Sequence, residues 1–216
     1  MSSLLTSKWT KVAVFSLCLG PVGYLVWRGW NGRLTANPIE FITHETGDWI
    51  LIFLILTLSV TPARKLLGQP QLIRFRRMFG LFAFFYACVH FSIFIVFDHF
   101  FDVAAMIEDV GMRKYIAAGF TGFVLLLPLA ITSTAGWIRR LGGKRWQLLH
   151  RLVYVAAAAG VVHFYWLVKS DVTRPFRYGA VVAFLLFYRL AVRLADRPAR
   201  PQPLRSSGKL SPTEGS

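Results

Sequence analysis

Apolar residues in this chain gather into six long runs parted by short polar stretches, with neither the two-residue alternation of a half-buried strand nor the stripe of a surface helix. The runs cover roughly residues 12–27, 48–61, 78–97, 115–135, 148–168 and 178–194. An α-helix rises about 1.5 Å per residue and the hydrocarbon core of a bilayer is about 30 Å thick, so runs of this length predict membrane helices. The expected fold is an all-α integral membrane protein, a six-transmembrane-helix bundle. The second run is the shortest and stops at Thr61-Pro62, where proline is expected to kink or end the helix. Gly20-Pro21 in the first run and Pro128 in the fourth are breaks that neighbouring helices tolerate in a membrane.

Composition agrees with this reading. Of the 216 residues 55% are hydrophobic and only 16% charged, against about 25% charged in soluble domains. The net charge of +15 could suggest nucleic acid, but the basic residues sit in short clusters between apolar runs and not along a groove that tracks phosphates. Arg64, Lys65, Arg74, Arg76 and Arg77 follow the second run; Arg139, Arg140, Lys144 and Arg145 follow the fourth; Arg193, Arg197, Arg200, Arg205 and Lys209 follow the sixth. The remaining loops mix signs. By the positive-inside rule the basic loops and both termini are expected in the cytoplasm. Tryptophans 27, 30, 49, 137, 146 and 166 lie near run ends, as an aromatic belt would.

The expected organisation is a cytoplasmic N-terminus over 1–11, a transmembrane domain over 12–196 and a disordered tail over 197–216, rich in Pro, Ser, Gly and Arg. Lys8 and Lys11 before an apolar stretch imitate a signal peptide, but no small-x-small cleavage site follows, so a retained first helix is expected. Cys18 and Cys88 lie inside apolar runs without a CxxC pattern and read as core residues. No GxGxxG or Walker loop occurs, so electrons or substrate are expected from the membrane or a separate chain.

Ionisable groups inside a membrane are costly and mark candidate sites. His90 lies in the third run, His150 and His163 in the fifth. With helices alternating in direction, the third and fifth run parallel and bring His90 and His163 to similar depth in the outer half. Two neutral imidazoles from facing helices can take both axial positions of a b-type haem, and the absence of CxxCH excludes covalent attachment. At about 100° per residue, positions 13 apart differ by about 140° around an ideal helix. Either the fifth helix is irregular, therefore, or His150 points elsewhere. Arg76 and Arg77 stand at the depth of His150, as lipid-headgroup anchors or as partners for a haem propionate. Gly80, Ala83, Ala87 and 156–160 would let a porphyrin approach the backbone, and fit ordinary helix packing equally. Phe84, Phe85, Tyr86, Phe91, Phe164, Tyr165 and Trp166 are candidates for an apolar lining or plain packing residues. His44 and His99 are expected to be solvated.

Taken in order, Leu58-Ser59-Val60-Thr61-Pro62, Arg76-Arg77-Met78-Phe79-Gly80-Leu81 leading to Tyr86-Ala87-Cys88-Val89-His90, Leu129-Ala130-Ile131-Thr132-Ser133, and Trp146-Gln147-Leu148-Leu149-His150-Arg151-Leu152-Val153-Tyr154 with His163-Phe164 resemble the MsrQ (YedZ) family of ferric-reductase-like transmembrane haem proteins. The resemblance covers nearly the whole chain. It implies a multi-pass b-type cytochrome of the bacterial inner membrane, associated with FMN as well as haem, with His90, His150 and His163 at the family's haem residues. It further implies electrons from the quinone pool or a cytoplasmic flavin reductase, and delivery to a periplasmic molybdopterin reductase, MsrP, that repairs methionine sulfoxide in envelope proteins. The related NADPH oxidases carry two histidines on each of the third and fifth helices, the fifth-helix pair spaced 13 apart. Here Arg76 stands where the inner third-helix histidine is expected, so one haem or two remain alternatives. The rival readings are a stand-alone ferric or quinone reductase, and a cofactor-free transporter or scaffold. An intramembrane acid would favour the last, and the runs hold essentially none away from their ends.

Overall fold

The structure, a computed structural model, describes residues 6–195. The expected tail over 197–216 lies outside them. The described elements are α1 (Lys8–Trp30), α2 (Pro38–Leu66), a single 3-10 turn (Pro70–Leu72), α3 (Ile73–Ile93) running into a π-type turn (Phe94–Asp98), α4 (Val103–Met112), α5 (Lys114–Ile131), α6 (Ala135–Leu141), α7 (Gly143–Leu149), α8 (Leu152–Leu167) and α9 (Thr173–Ala195). Six spans are long and apolar enough to cross a membrane: α1, α2, 70–98, α5, 143–167 and α9. The protein is a multi-pass helical membrane protein. Spans two and three pack as one antiparallel pair (α2 with α3) and spans four and five as another (α5 with α8). The two pairs face each other as a four-helix core, while α9 leans on α8 and α2, and α1 touches α3 and α2 from outside. Because spans alternate in direction, the loops after α2 and α5 share one end with both ends of the described chain. This is called the basic end below, and its opposite the far end.

α2 is the main departure from the hydropathy pattern. It starts ten residues before the second apolar run and passes through Pro62. The early start comes from capping: the Asn37 side chain accepts from the Glu40 N–H, its amide donates to the Glu40 carboxylate at 2.8 Å, and Pro38 occupies the first helical position. Continuation through Pro62 has an equally local cause. Proline removes the N–H that would bond the Leu58 carbonyl, and the Arg189 guanidinium of α9 donates to that carbonyl at 2.7 Å.

Pro21 disturbs α1 in the same way. Proline at 21 removes the N–H that would bond the Leu17 carbonyl, and the next pair along the helix, Val22 N–H and the Cys18 carbonyl, meets a side chain of α3. The Tyr86 hydroxyl stands between them, accepting from Val22 N at 3.1 Å and donating to Cys18 O at 2.9 Å. Tyr86 is fully buried, whereas α1 buries only Cys18 and Leu25. Its candidacy as a lining residue is thereby replaced by a role in docking the first helix.

At the far end, the Thr173 hydroxyl and then its N–H, at the start of α9, bond the Asp171 carboxylate and hold it below the usual range. His99, expected to be solvated, has a side chain only 9% exposed and bonds Asp109 at 3.1 Å, which in turn pairs with Arg113. This fastens α4 over the loop that follows α3. His44 lies on α2 within reach of Glu40, not in a loop.

Candidate functional site

His90 and His163 meet across the core, one from each helix pair. Their ring centres are 6.2 Å apart and their planes nearly perpendicular, at 87°. Each is oriented by the helix paired with its own. His90 Nδ1 lies 3.1 Å from the Thr43 carbonyl and 3.1 Å from Thr46 Oγ1, both on α2. His163 Nδ1 lies 2.6 Å from the Tyr115 carbonyl on α5. A carbonyl only accepts, so both Nδ1 atoms carry the proton, and in the neutral rings both Nε2 atoms present a lone pair. Among the described residues neither Nε2 meets a protein partner.

Two glycines lie beside these contacts. The accepting carbonyls belong to helical residues whose carbonyls already serve the N–H four residues on. Those residues are Gly47 after Thr43 and Gly119 after Tyr115. A Cβ on Gly119 would stand 2.7 Å from His163 Nδ1, and one on Gly47 would stand 3.4 Å from His90 Cε1. A glycine thus stands beside the imidazole in both helix pairs, but only at Gly119 is the missing side chain required, since at Gly47 a methyl group would make an ordinary contact with the ring.

The pair opens into a cleft between the helix pairs. Phe91, Phe94, Phe120, Phe123 and Phe164 line it together with Ala87, Ala156 and Gly160. Of the aromatics named from sequence, Phe91 and Phe164 are in the lining. Phe84 stacks on Phe123 behind it, while Phe85, Tyr165 and Trp166 are exposed on the outside of the bundle. Asp48, also at the wall, pairs with Arg174 of α9.

This donor set fits a haem. A metal–imidazole bond of about 2.0 Å, with roughly 1 Å more to each ring centre, places two trans imidazole centres about 6 Å apart. The observed separation is 6.2 Å. No group of three or more His, Cys, Asp or Glu side chains assembles to hold a metal among the described residues, so the pair suits a group that brings its own in-plane donors.

The other sequence candidates collect elsewhere. Arg76, Arg77 and His150 line a second cavity toward the basic end, with Gly80, Ser133 and Trp146. Leu54 and Leu126 border both cavities and separate them. The spacing conflict between His150 and His163 is resolved by a break: α7 ends at Leu149, α8 begins at Leu152, and His150 lies in the turn between. Its ring stacks on Trp146 at 3.9 Å. Its Nε2 lies 3.1 Å from Thr132 Oγ1, which itself donates to the Pro128 carbonyl at 2.6 Å, so the neutral ring donates from Nε2 and keeps Nδ1 bare. No second histidine faces it in that cavity. Arg76 approaches the Tyr154 hydroxyl from the same side.

Comparison with known proteins decides the family. The model for "Ferric reductase like transmembrane component" matches residues 46–161, a stretch that contains His90 and His150 and ends two residues before His163. A protein of Herminiimonas arsenicoxydans named protein-methionine-sulfoxide reductase heme-binding subunit MsrQ is 56% identical over 182 residues, 83% of this chain and 84% of its own length. The chain belongs to the MsrQ family. Relatives with the same name include those from Rhodospirillum rubrum (47% identical, 89% of this chain and 93% of the relative) and Caulobacter vibrioides (45%, 82% and 84%). The MsrQ resemblance drawn from motifs in the sequence is therefore correct.

Proposed function

We propose that this chain is the haem-binding membrane subunit of a methionine sulfoxide reductase system, an electron-transfer subunit whose partner chain carries out sulfoxide reduction. The observation that carries the reading is the His90–His163 pair: two imidazoles from facing helix pairs, 6.2 Å apart, each with Nδ1 tied to a carbonyl and Nε2 bare, which would hold a haem iron between them. A b-type haem bound between them supplies a one-electron Fe(III)/Fe(II) couple.

The chain's own residues do the rest. Thr43 and Tyr115 carbonyls fix the tautomer and ring orientation of His90 and His163 and raise their basicity as ligands. The phenylalanines of the cleft keep the site apolar and exclude water. Toward the basic end, His150, Arg76 and Arg77 line the second cavity, where they would receive an auxiliary group: a propionate held by an arginine, or a second haem on His150. In this reading the basic end is cytoplasmic and the far end, with His90 and His163, is periplasmic in a bacterial inner membrane. The domain bounds are 1–11, 12–196 and 197–216. Electrons enter from the quinone pool or through a flavin reductase, with FMN as the family's second cofactor, and leave to an MsrP-type molybdopterin reductase. The support for these donors and acceptors is the sequence resemblance alone; the relatives' name reaches only to haem and a methionine-sulfoxide reductase.

The test is a reduced-minus-oxidised absorbance spectrum of the purified full chain, with haem measured per polypeptide. A low-spin b-type spectrum is expected, abolished by His90→Ala and by His163→Ala. Near one haem per chain makes His150 auxiliary, and near two gives His150 a haem of its own. Unchanged haem content in His90→Ala would overturn the ligand assignment. Colourless wild-type protein would overturn the cytochrome reading.

A further inference from the structure

Every Asp and Glu among the described residues lies at the far end of the bundle: Glu40, Glu45 and Asp48 at the start of α2, Asp98, Asp102, Glu108 and Asp109 around α4, and Asp171 before α9. The basic end holds arginines with no described carboxylate to meet them. At one place three converge. Arg189 donates to the Tyr154 hydroxyl at 3.0 Å and Arg193, one turn along α9, reaches it at 3.4 Å. Arg76 of α3 approaches the same hydroxyl. The Arg189 and Arg193 guanidinium carbons stand 5.4 and 5.8 Å from the Tyr154 ring centre. Arg189 also donates to the Leu58 carbonyl and Thr61, and its Nε is buried without an acceptor.

One phenol oxygen cannot balance three guanidinium charges. Like charges this close repel, and partial burial weakens the screening by water. Among the described residues no anion meets the cluster. Its surroundings indicate the source: Phe187, Leu190 and Leu194, on the same stretch of α9 as the arginines, are exposed by 52–70% on a membrane-spanning helix. Guanidiniums at a span end, beside apolar side chains open to the acyl layer, match a phospholipid with its phosphate on the charges and its chains along the helix.

We infer that Arg76, Arg189 and Arg193, gathered on Tyr154, form a phosphate-binding site, filled in the membrane by the headgroup of an anionic phospholipid. Arg189 and Arg193 line neither cavity, so these two arginines are independent of the haem reading, while Arg76 is shared with the second cavity.

Native mass spectrometry of the detergent-released full chain tests this, with phosphatidylglycerol and phosphatidylcholine added in turn. Wild-type protein should retain phosphatidylglycerol in preference. Arg193→Gln, at an exposed position that leaves the Leu58 bond intact, should weaken retention about fivefold, since one arginine near an anionic surface contributes about 1 kcal/mol. Arg139→Gln, the same charge change on α6 at the same end, should leave it unchanged. Equal retention of both lipids, or equal loss in the two variants, would overturn the site. Inorganic phosphate then separates the sources at matched ionic strength against chloride. Displacement by phosphate alone means the site recognises free phosphate as well as the headgroup, and displacement by neither salt restricts it to the lipid. Equal displacement by both reduces the effect to diffuse charge and overturns the proposal.

Discussion

The glycine at 119 matters for what it omits. Gly119→Ala sets a methyl group 2.7 Å from His163 Nδ1, closer than side-chain carbons approach, so the ring must leave the Tyr115 carbonyl. The expected outcome is loss of the low-spin spectrum and of most bound haem, read by absorbance at unchanged expression. Gly47→Ala, with its nearest contact at 3.4 Å, should keep haem and shift only its reduction potential, measured by redox titration. The histidines themselves were legible in the sequence because an imidazole in an apolar run is conspicuous. Their partners were not, since the accepting groups are backbone carbonyls and the enabling residue, Gly119, carries no chemistry to notice. His99 was misjudged for a related reason. Its partner Asp109 sits ten residues away across a turn, a proximity that no local pattern announces.

The elements are held by side chains that repair proline breaks. Arg189 serves the Leu58 carbonyl that Pro62 leaves bare, and its removal by Arg189→Met should cost about 1–3 kcal/mol, the usual penalty for a buried acceptor left unmet. Pro62→Ala returns the missing N–H, so the same Arg189→Met change should cost less in that background. Thermal unfolding of the four proteins in a double-mutant cycle measures the difference, and simple additivity would show that Arg189 acts elsewhere. Hydropathy placed all six spans but trimmed α2 at both ends. The missed start was written in Asn37-Pro38-Ile39-Glu40, a capping signature ahead of the apolar run. The missed continuation past Pro62 depends on an arginine far along the chain and could not be read locally.

Among the described residues, charge and chemistry are polarised: acids and the histidine pair lie toward one end, and a preponderance of arginines toward the other. The orientation that follows is open to a direct check. Alkaline phosphatase fused after Gly32 or Phe101 should be active, and fused after Gly68 or Gly142 inactive, because only the far end is expected outside the cytoplasm. The reverse pattern would place the histidine pair on the cytoplasmic side and remove the proposed route to a periplasmic partner. The six-helix architecture was visible in the runs alone, because bilayer thickness fixes their length. The pairing of spans two with three and four with five was not, since all six runs look alike to hydropathy.

The hydroxyl that joins the first helix to the third also sets an order of assembly. Tyr86 follows Val22 by 64 residues. At a synthesis rate of about 5–20 residues per second, the first helix is made roughly 3–13 s before the residue that fastens it. During that interval α1 has two buried side chains to offer and lacks the Tyr86 bonds, so it waits in the lipid as a loosely held helix of the nascent protein until the second and third helices arrive as a hairpin.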